Sequence, residues 1–527
     1  MFIVVFLLVF TLIVSLSSLL LYLNISFNII EALVIASLVT LIFSYKIKRS
    51  LGLIVLFLVT FLSHMLSIYL LLPVGFHGDQ RVYFVDVIKK FGKIHLLEKY
   101  RLEGLYYIRY PMPWLVSSFI SIITSTSSQI SELITYATAY AFFMIFLILI
   151  INSLKGKASS LLSIASTATI FTLTLYLSRP FQDLVADSFG LLSLAVILYL
   201  FFRFTERPPI VLLALIIPLV IAHGLAVYIS TFTFIFLAIS YLIAHTSSKK
   251  VMKSLEFAII IFIGTWLYQV GVQLIDMFVK EIPCRWNLIL KSLSSPLFQR
   301  GKSSEIATQN LHLVYPLDPL ITPLAYMLPI VIIVVSSMYF LYKFMHGYDY
   351  KRRYYRERCI ETMAFSLISI TMFSIAGIFA WKGFENAIAR YLYEYAALIA
   401  TVVNIMFLSS IIGQKKPSPH KQINRSLLKY TKVTGLAILA IVGVLIVFES
   451  FYTPYASPLS IPDKYKFERL YQMYYGKVMF NANLAIGVIK YVLEASQRGE
   501  VQVITMTQAK HYETTIYNNG FVVTVKR

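Results

Sequence analysis

Apolar runs of near-bilayer length alternate with polar connections along most of the chain. Thirteen runs stand out: 2–23, 28–45, 51–73, 131–153, 158–178, 184–202, 209–222, 225–244, 254–275, 319–342, 359–380, 391–412 and 433–451. A helix needs about 20 apolar residues to cross the hydrocarbon core. The runs lack the period-2 alternation of a membrane barrel. The pattern predicts an α-helical polytopic membrane protein with about 13 transmembrane helices. The seventh run is short and ends at "AHGLAVY", so runs seven and eight can also be read as one re-entrant pair. The first run lacks a basic leader and is long for a signal-peptide core, so it is taken as a span.

The polar connections differ in sign. "KIKR", "LKGK", "FRFTER", "SSKKVMK", "YDYKRRYYRER" and "GQKKPSPHKQINR" all fall on one side of the predicted layout, and the short connections opposite are nearly free of Lys and Arg. Basic short loops stay in the cytoplasm. The expected topology is a multi-pass cell-membrane protein with a cytoplasmic N-terminus and an extracytoplasmic C-terminus.

Three long segments then lie outside: 74–130, 276–318 and 452–527. The expected organisation is two extra spans in 1–50, a membrane domain over 51–451 and a small extracytoplasmic α/β cap over 452–527. In the cap, "NLAIGVIKYVLEASQRG" has helical apolar spacing and a Gly stop. "EVQVITMT" alternates as a strand, and "YETTIYNNGFVVTVK" has the form of a hairpin around Asn-Asn-Gly.

The first outer segment contains two amphipathic stretches. "RVYFVDVIKKFGKI" predicts a helix on the membrane surface, with Val82, Phe84, Val85 and Ile88 on its apolar side and Lys89 and Lys90 on its polar side. "YPMPWLVSSFISIIT" predicts a second, with Pro113 near its start and Trp114 at headgroup depth.

Composition agrees with a membrane chain. It is 58% hydrophobic and 13% charged, where a soluble domain is about one-quarter charged. The net charge of +21 follows from the basic loops and implies no nucleic-acid partner. Cys284 and Cys359 fall on opposite sides of the predicted topology and make no disulfide framework. The chain contains no GxxxxGK[ST], GxSxG or HExxH motif. Without a cytosolic nucleotide-binding domain, an enzyme using ATP or a soluble nucleotide sugar inside the cell is disfavoured.

Carboxylates at membrane edges are costly unless solvated, paired or useful. Asp79 stands six residues after the end of the third run; it is a candidate base, a solvated residue or a helix N-cap. Asp86, seven residues on, shares its helical face. Asp183 and Asp187 stand at i,i+4 in "LSRPFQDLVADSFG", where they would bind a divalent metal through oxygens or pair with Arg179. His223 lies at an outer edge beside Gly224. In "WKGFENAIARYLYEY", Arg390 would pair with Glu394 or grip a phosphate.

Together these stretches resemble the outer face of GT-C glycosyltransferases. "VYFVDVIKKFGKI" and "RYPMPWLVSSFISI", behind an acidic residue that follows a span, resemble their first outer loop. "AHGLAVY" resembles a His-Gly of archaeal-type members, and "ARYLYEYAAL" resembles the late segment whose Arg faces the lipid phosphate. The resemblance implies a GT-C-like fold and a dolichyl- or polyprenyl-phosphate-sugar donor. Asp79 would be the catalytic residue, and Asp86 a second catalytic or acceptor-positioning one. Asp183 and Asp187 would form a metal or phosphate site, with Mg or Mn as the divalent metal. His223 and Arg390 would bind the donor phosphate. The chain departs from the family in its two extra N-terminal spans and in Asp-x-x-x-Asp where DxD is usual. It also lacks the WWDYG signature, which argues for transfer of one sugar rather than a whole glycan to Asn.

The expected activity is therefore a hexosyltransferase moving mannose or glucose to a lipid-linked glycan or protein acceptor outside the cytoplasm. Two rivals stand beside it: a polytopic transporter or lipid flippase, and a non-catalytic membrane assembly protein. Hydropathy shows no two-fold repeat, and few charges fall deep in the runs, which weighs against a transporter.

Overall fold

The computed structural model describes residues 49–71, 78–92, 110–154, 187–203, 223–244, 248–271, 333–339, 341–342, 353–382 and 386–412, and four strands near the C-terminus. The helices are α1 (Arg49–Leu71), α2 (Gly78–Phe91), α3 (Met112–Thr124), α4 (Ser128–Leu154), α5 (Asp187–Arg203), α6 (Gly224–Ile243), α7 (Ser248–Gly271), α8 (Arg353–Lys382) and α9 (Asn386–Ile412). The first two predicted spans, and the fifth, seventh and thirteenth, lie outside the described residues.

Among the described residues, four helical stretches are long and apolar enough to cross a membrane: Ser128–Ile150, Ala226–Ile243, Ser248–Gly271 and Cys359–Phe379. Their outward faces carry apolar stripes. On α6, Phe232, Phe236, Ile239 and Ile243 are exposed; on α7, Ile259, Phe262, Ile263, Trp266, Leu267 and Val270 are exposed. Each stripe recurs at helical spacing. Water would penalise so much contiguous apolar surface, whereas lipid solvates it. The described bundle is that of a helical membrane protein.

Ring contacts fix the relative directions of the helices. Phe57 meets Phe142 and His64 stacks on Tyr140, so α1 and α4 are antiparallel. Tyr136 meets Phe189 and Phe146 meets Tyr199, so α4 and α5 run parallel. Gly190 lies against Ala226, and Phe201 lies against Phe234, so α5 and α6 are parallel too. α7 returns antiparallel to α6, through Tyr228–Gln269 and Phe234–Phe257. α9 returns antiparallel to α8, through Thr362–Met406 and Phe373–Tyr393. One end of the bundle thus gathers the starts of α4, α5, α6 and α9, and the other gathers the start of α7 and the end of α6.

These directions agree with the alternation of the matching predicted spans. The re-entrant alternative concerns α6. α6 has 20 residues, enough to cross alone at about 1.5 Å per residue; its partner in that alternative, 209–222, lies outside the described residues. The basic segment "SSKKVMK" needs correction. It is not a free loop: α7 begins at Ser248, Lys250 pairs with Glu361 at 3.0 Å, and the Tyr241 hydroxyl donates to the same carboxylate at 2.7 Å. Lys253 donates to the Phe201 carbonyl at the end of α5. The positive charges stay at one end of the bundle and also tie α5, α6, α7 and α8 together.

The two surface helices also differ from expectation. α2 ends at Gly92, which takes the left-handed conformation (φ 64°) and donates its N–H to the Ile88 carbonyl at 2.7 Å. Phe84, Val85, Val87 and Ile88 are buried, against α3 and α4. The apolar face of α2 is therefore spent on protein. Trp114 is 1% exposed and packs edge-on to Phe84 at 5.3 Å, so it is a core residue and no headgroup anchor. The opposite face of α3 keeps Leu115, Phe119, Ile122 and Ile123 exposed, and this is the face suited to lipid.

This burial sets an expected result. Trp114→Ala should lower stability by about 3–5 kcal/mol, measured by thermal unfolding in detergent. Trp114→Phe should cost much less, because the buried indole N–H has no hydrogen-bond partner among the described residues. A Trp114→Ala cost near that of exposed Phe119→Ala would contradict the core placement.

The four strands are β1 (Val478–Asn481), β2 (Val501–Ile504), β3 (Thr514–Asn518) and β4 (Val523–Lys526). β3 and β4 pair antiparallel, with Asn518 opposite Val523, as the hairpin pattern implies. β1 and β2 pair parallel, which requires a crossover between them. The expected helix over "NLAIGVIKYVLEASQRG" lies outside the described residues.

Candidate functional site

His223 immediately precedes α6 on extended backbone. Its chain neighbour is Gly224, and its ring enters the bundle where α5, α6 and α9 meet. The imidazole is 1% exposed. Its Nδ1 lies 3.1 Å from the hydroxyl of Tyr395, which is fully buried on α9. That bond fixes the ring's orientation.

The crossing is close because α5 offers a glycine there. A Cβ on Gly190 would run into the Tyr395 hydroxyl, and would stand 2.9 Å from the His223 Cβ and 3.2 Å from the Ala226 Cβ. The missing side chain creates room for the His223–Tyr395 pair.

A second polar group adjoins the first. The Tyr228 hydroxyl donates to Gln269 Oε1 at 2.6 Å, and Gln269 Nε2 donates to the Tyr110 hydroxyl at 3.5 Å. The Tyr110 ring lies 6.3 Å from His223 and 6.2 Å from Tyr268, centroid to centroid. The part of the first outer segment just before α3 is thereby docked on α6 and α7 beside His223.

Asp86 occupies the same end of the bundle, farther out. The Ser128 hydroxyl at the start of α4 donates to Asp86 Oδ1. Tyr136 is level with Phe189, so Ser128 lies roughly 12 Å beyond that level along parallel helices. Lys89 donates to the Ser121 hydroxyl at 3.0 Å and to the Thr126 carbonyl at 3.2 Å, pinning α2 to the α3–α4 turn. A carboxylate beside the first residue of α4 is also favoured by that helix's dipole. Asp86→Ala should therefore cost about 1–3 kcal/mol by stranding Ser128. Asp86→Asn, which keeps an acceptor, should cost less. Thermal unfolding of both variants in detergent checks the order.

The other expected residues are placed by backbone. Asp79 is the second residue of α2, inside its first turn rather than capping it, and shares a helical face with Asp86. Asp187 opens α5 three residues before Gly190, and Arg390 lies on α9 five residues before Tyr395. His223, Asp187 and Arg390 therefore belong to three helices that meet through His223, Gly190 and Tyr395. Asp183 lies outside the described residues. Among the described residues, no group of three or more His, Cys, Asp or Glu side chains could hold a metal ion.

Sequence reasoning passed over Tyr110, Gly190, Gln269 and Tyr395. Gln269, an amide in the apolar stretch "WLYQVG", carried a signal, since polar groups inside spans are costly without a partner. Glu132, fully buried on α4, carried the same signal. Gly190 and Tyr395 carried none that sequence alone reveals. No protein-family model matches the chain, and comparison with curated proteins finds no relative.

Proposed function

We propose that the chain is a GT-C-type glycosyltransferase. It moves one sugar, mannose or glucose, from a polyprenyl- or dolichyl-phosphate donor to a lipid-linked glycan or protein acceptor on the extracytoplasmic face. The observation that carries this reading is the meeting of α5, α6 and α9 at His223, Gly190 and Tyr395, which gathers helices bearing Asp187 and Arg390 at one end of the bundle. Helix starts present partial positive charge and free N–H groups, which favours an anionic headgroup. The end opposite the lysine-rich start of α7 is the extracytoplasmic one under the basic-loop rule.

The chemistry assigned to this end is a single displacement. Asp79 takes the proton of the acceptor hydroxyl, and the acceptor oxygen attacks the anomeric carbon. The bond from that carbon to the phosphate oxygen breaks, and the lipid phosphate leaves with the electron pair. His223 and Arg390 stabilise the departing charge. Configuration at the anomeric carbon inverts. Asp183 and Asp187 are the residues that would hold a divalent metal, Mg or Mn, whose chemistry would be to neutralise phosphate oxygens. No step above depends on it.

The distribution of buried charge favours an enzyme over a transporter. Among the described residues the buried carboxylates are Glu132, the fifth residue of α4, Glu361, the third of the Cys359–Phe379 span, and Glu394, the third of the apolar stretch Leu392–Val403. Transport sites are expected at the midplane. The test is transfer of radiolabelled mannose or glucose from polyprenyl-phosphate donors by the purified chain in liposomes, with cell-envelope acceptors. Absence of transfer from every such donor by folded protein would shift the reading to a transporter or an assembly protein.

A further inference from the structure

We propose that Tyr395 donates its hydroxyl proton to Nδ1 of His223 and so holds the neutral imidazole with its own proton on Nε2. The use of that N–H, to meet the donor phosphate, rests on the glycosyltransferase reading. A neutral imidazole carries one N–H and one bare nitrogen, and the hydrogen bond made by one nitrogen decides which is which. The Tyr395 hydroxyl lies 3.1 Å from Nδ1, and both side chains are buried. Two arrangements fit that distance. Either the tyrosine proton points at a bare Nδ1, or Nδ1–H points at the tyrosine oxygen.

Gly190 separates the two. The Tyr395 hydroxyl stands where a Cβ on Gly190 would be, so its oxygen faces a glycine Cα–H, which is a weak donor. Such a contact is accepted by a lone pair, which turns the hydroxyl proton away from α5. Nδ1 of His223 stands at hydrogen-bond distance to receive it. A side chain at position 190 would remove this contact as well as the room for the pair.

A bare Nδ1 leaves the proton on Nε2, and the proposed chemistry needs that form. Phosphate oxygens accept hydrogen bonds, and only an N–H can meet them. With the tautomer reversed, Nε2 would present a lone pair to an anion. Held by Tyr395, His223 acts as a neutral hydrogen-bond donor. The leaving oxygen keeps the electron pair of the broken bond, no proton passes to it from the ring, and the acceptor's proton goes to Asp79. Tyr395 touches the imidazole and none of the reacting atoms, so it is a positioning residue.

The test reads the tautomer itself, by nitrogen NMR of the full chain in detergent with isotope-labelled histidine. The His223 signals are identified by their loss in His223→Gln. At a pH well above the ordinary histidine range, the wild type should show Nδ1 as a bare, imine-type nitrogen and Nε2 as the protonated one. A proton on Nδ1 would overturn the proposal. Tyr395→Phe should shift the Nδ1 resonance toward that of a nitrogen without a hydrogen bond. An Nδ1 resonance unmoved by that substitution would take the role away from Tyr395. The wild-type spectrum decides the direction of the bond even if Tyr395→Phe does not fold. No sugar donor enters the measurement. A proton on Nε2 in a chain that transfers no sugar would keep the tautomer and sink the glycosyltransferase reading alone.

Discussion

Asp79→Ala is expected to lower sugar transfer by about 10²- to 10⁴-fold, the range contributed by a positioned general base, while the protein stays folded. The magnitude separates two roles. In the first turn of α2, where Asp79 lies, a carboxylate gains about 0.3–1 kcal/mol from the helix dipole. A loss that small leaves nearly all molecules folded and leaves transfer per folded molecule unchanged. A base role predicts the opposite: near-complete loss of turnover with a small shift in Tm. Asp79→Asn sharpens the comparison, because it keeps the size and polarity of the side chain but cannot accept the acceptor's proton. Transfer assayed for all three proteins at equal folded concentration decides the matter. Activity surviving in Asp79→Asn removes Asp79 from the chemistry.

Gly190→Ala is expected to destabilise the chain, against the trend of helix propensity. In an ordinary helix interior the change gains up to about 1 kcal/mol. Here the new Cβ meets the Tyr395 hydroxyl and the Cβ atoms of His223 and Ala226. Overpacking of this kind costs about 1–3 kcal/mol, and displacing Tyr395 adds the loss of its bond to His223, about 0.5–1.5 kcal/mol. The net effect is a loss, and Gly190→Val should be worse. Because the closest collision is with a hydroxyl oxygen, Tyr395→Phe should restore part of the stability of Gly190→Ala. Thermal unfolding of the two single variants and the double variant forms a cycle whose coupling should favour the double. Stabilisation by Gly190→Ala, or strict additivity, would show that α5 and α9 do not meet as described.

Legibility tracked the range of each interaction. The predicted spans over 131–153, 184–202, 225–244, 359–380 and 391–412 correspond to α4, α5, α6, α8 and α9, because every backbone bond of a helix in lipid is satisfied locally. The β3–β4 hairpin was likewise visible around Asn-Asn-Gly. His223 could be picked out because a histidine beside a glycine at a span edge is conspicuous in the chain itself.

What the sequence determined by itself was therefore the set of local decisions: apolar length makes spans, and lysines mark one end of them. Which amphipathic faces meet protein and which meet lipid was left to the tertiary structure. Trp114 and the apolar side of α2 looked interfacial in sequence, since lipid and a protein interior are equally apolar and periodicity cannot tell them apart. Only packing against Phe84 and the helices beside it resolved the choice. The partners of His223 were also beyond the sequence. Tyr395 is 172 positions away, and the Gly190 contact depends on three helices crossing closely, a distance set by side-chain volumes on all of them at once.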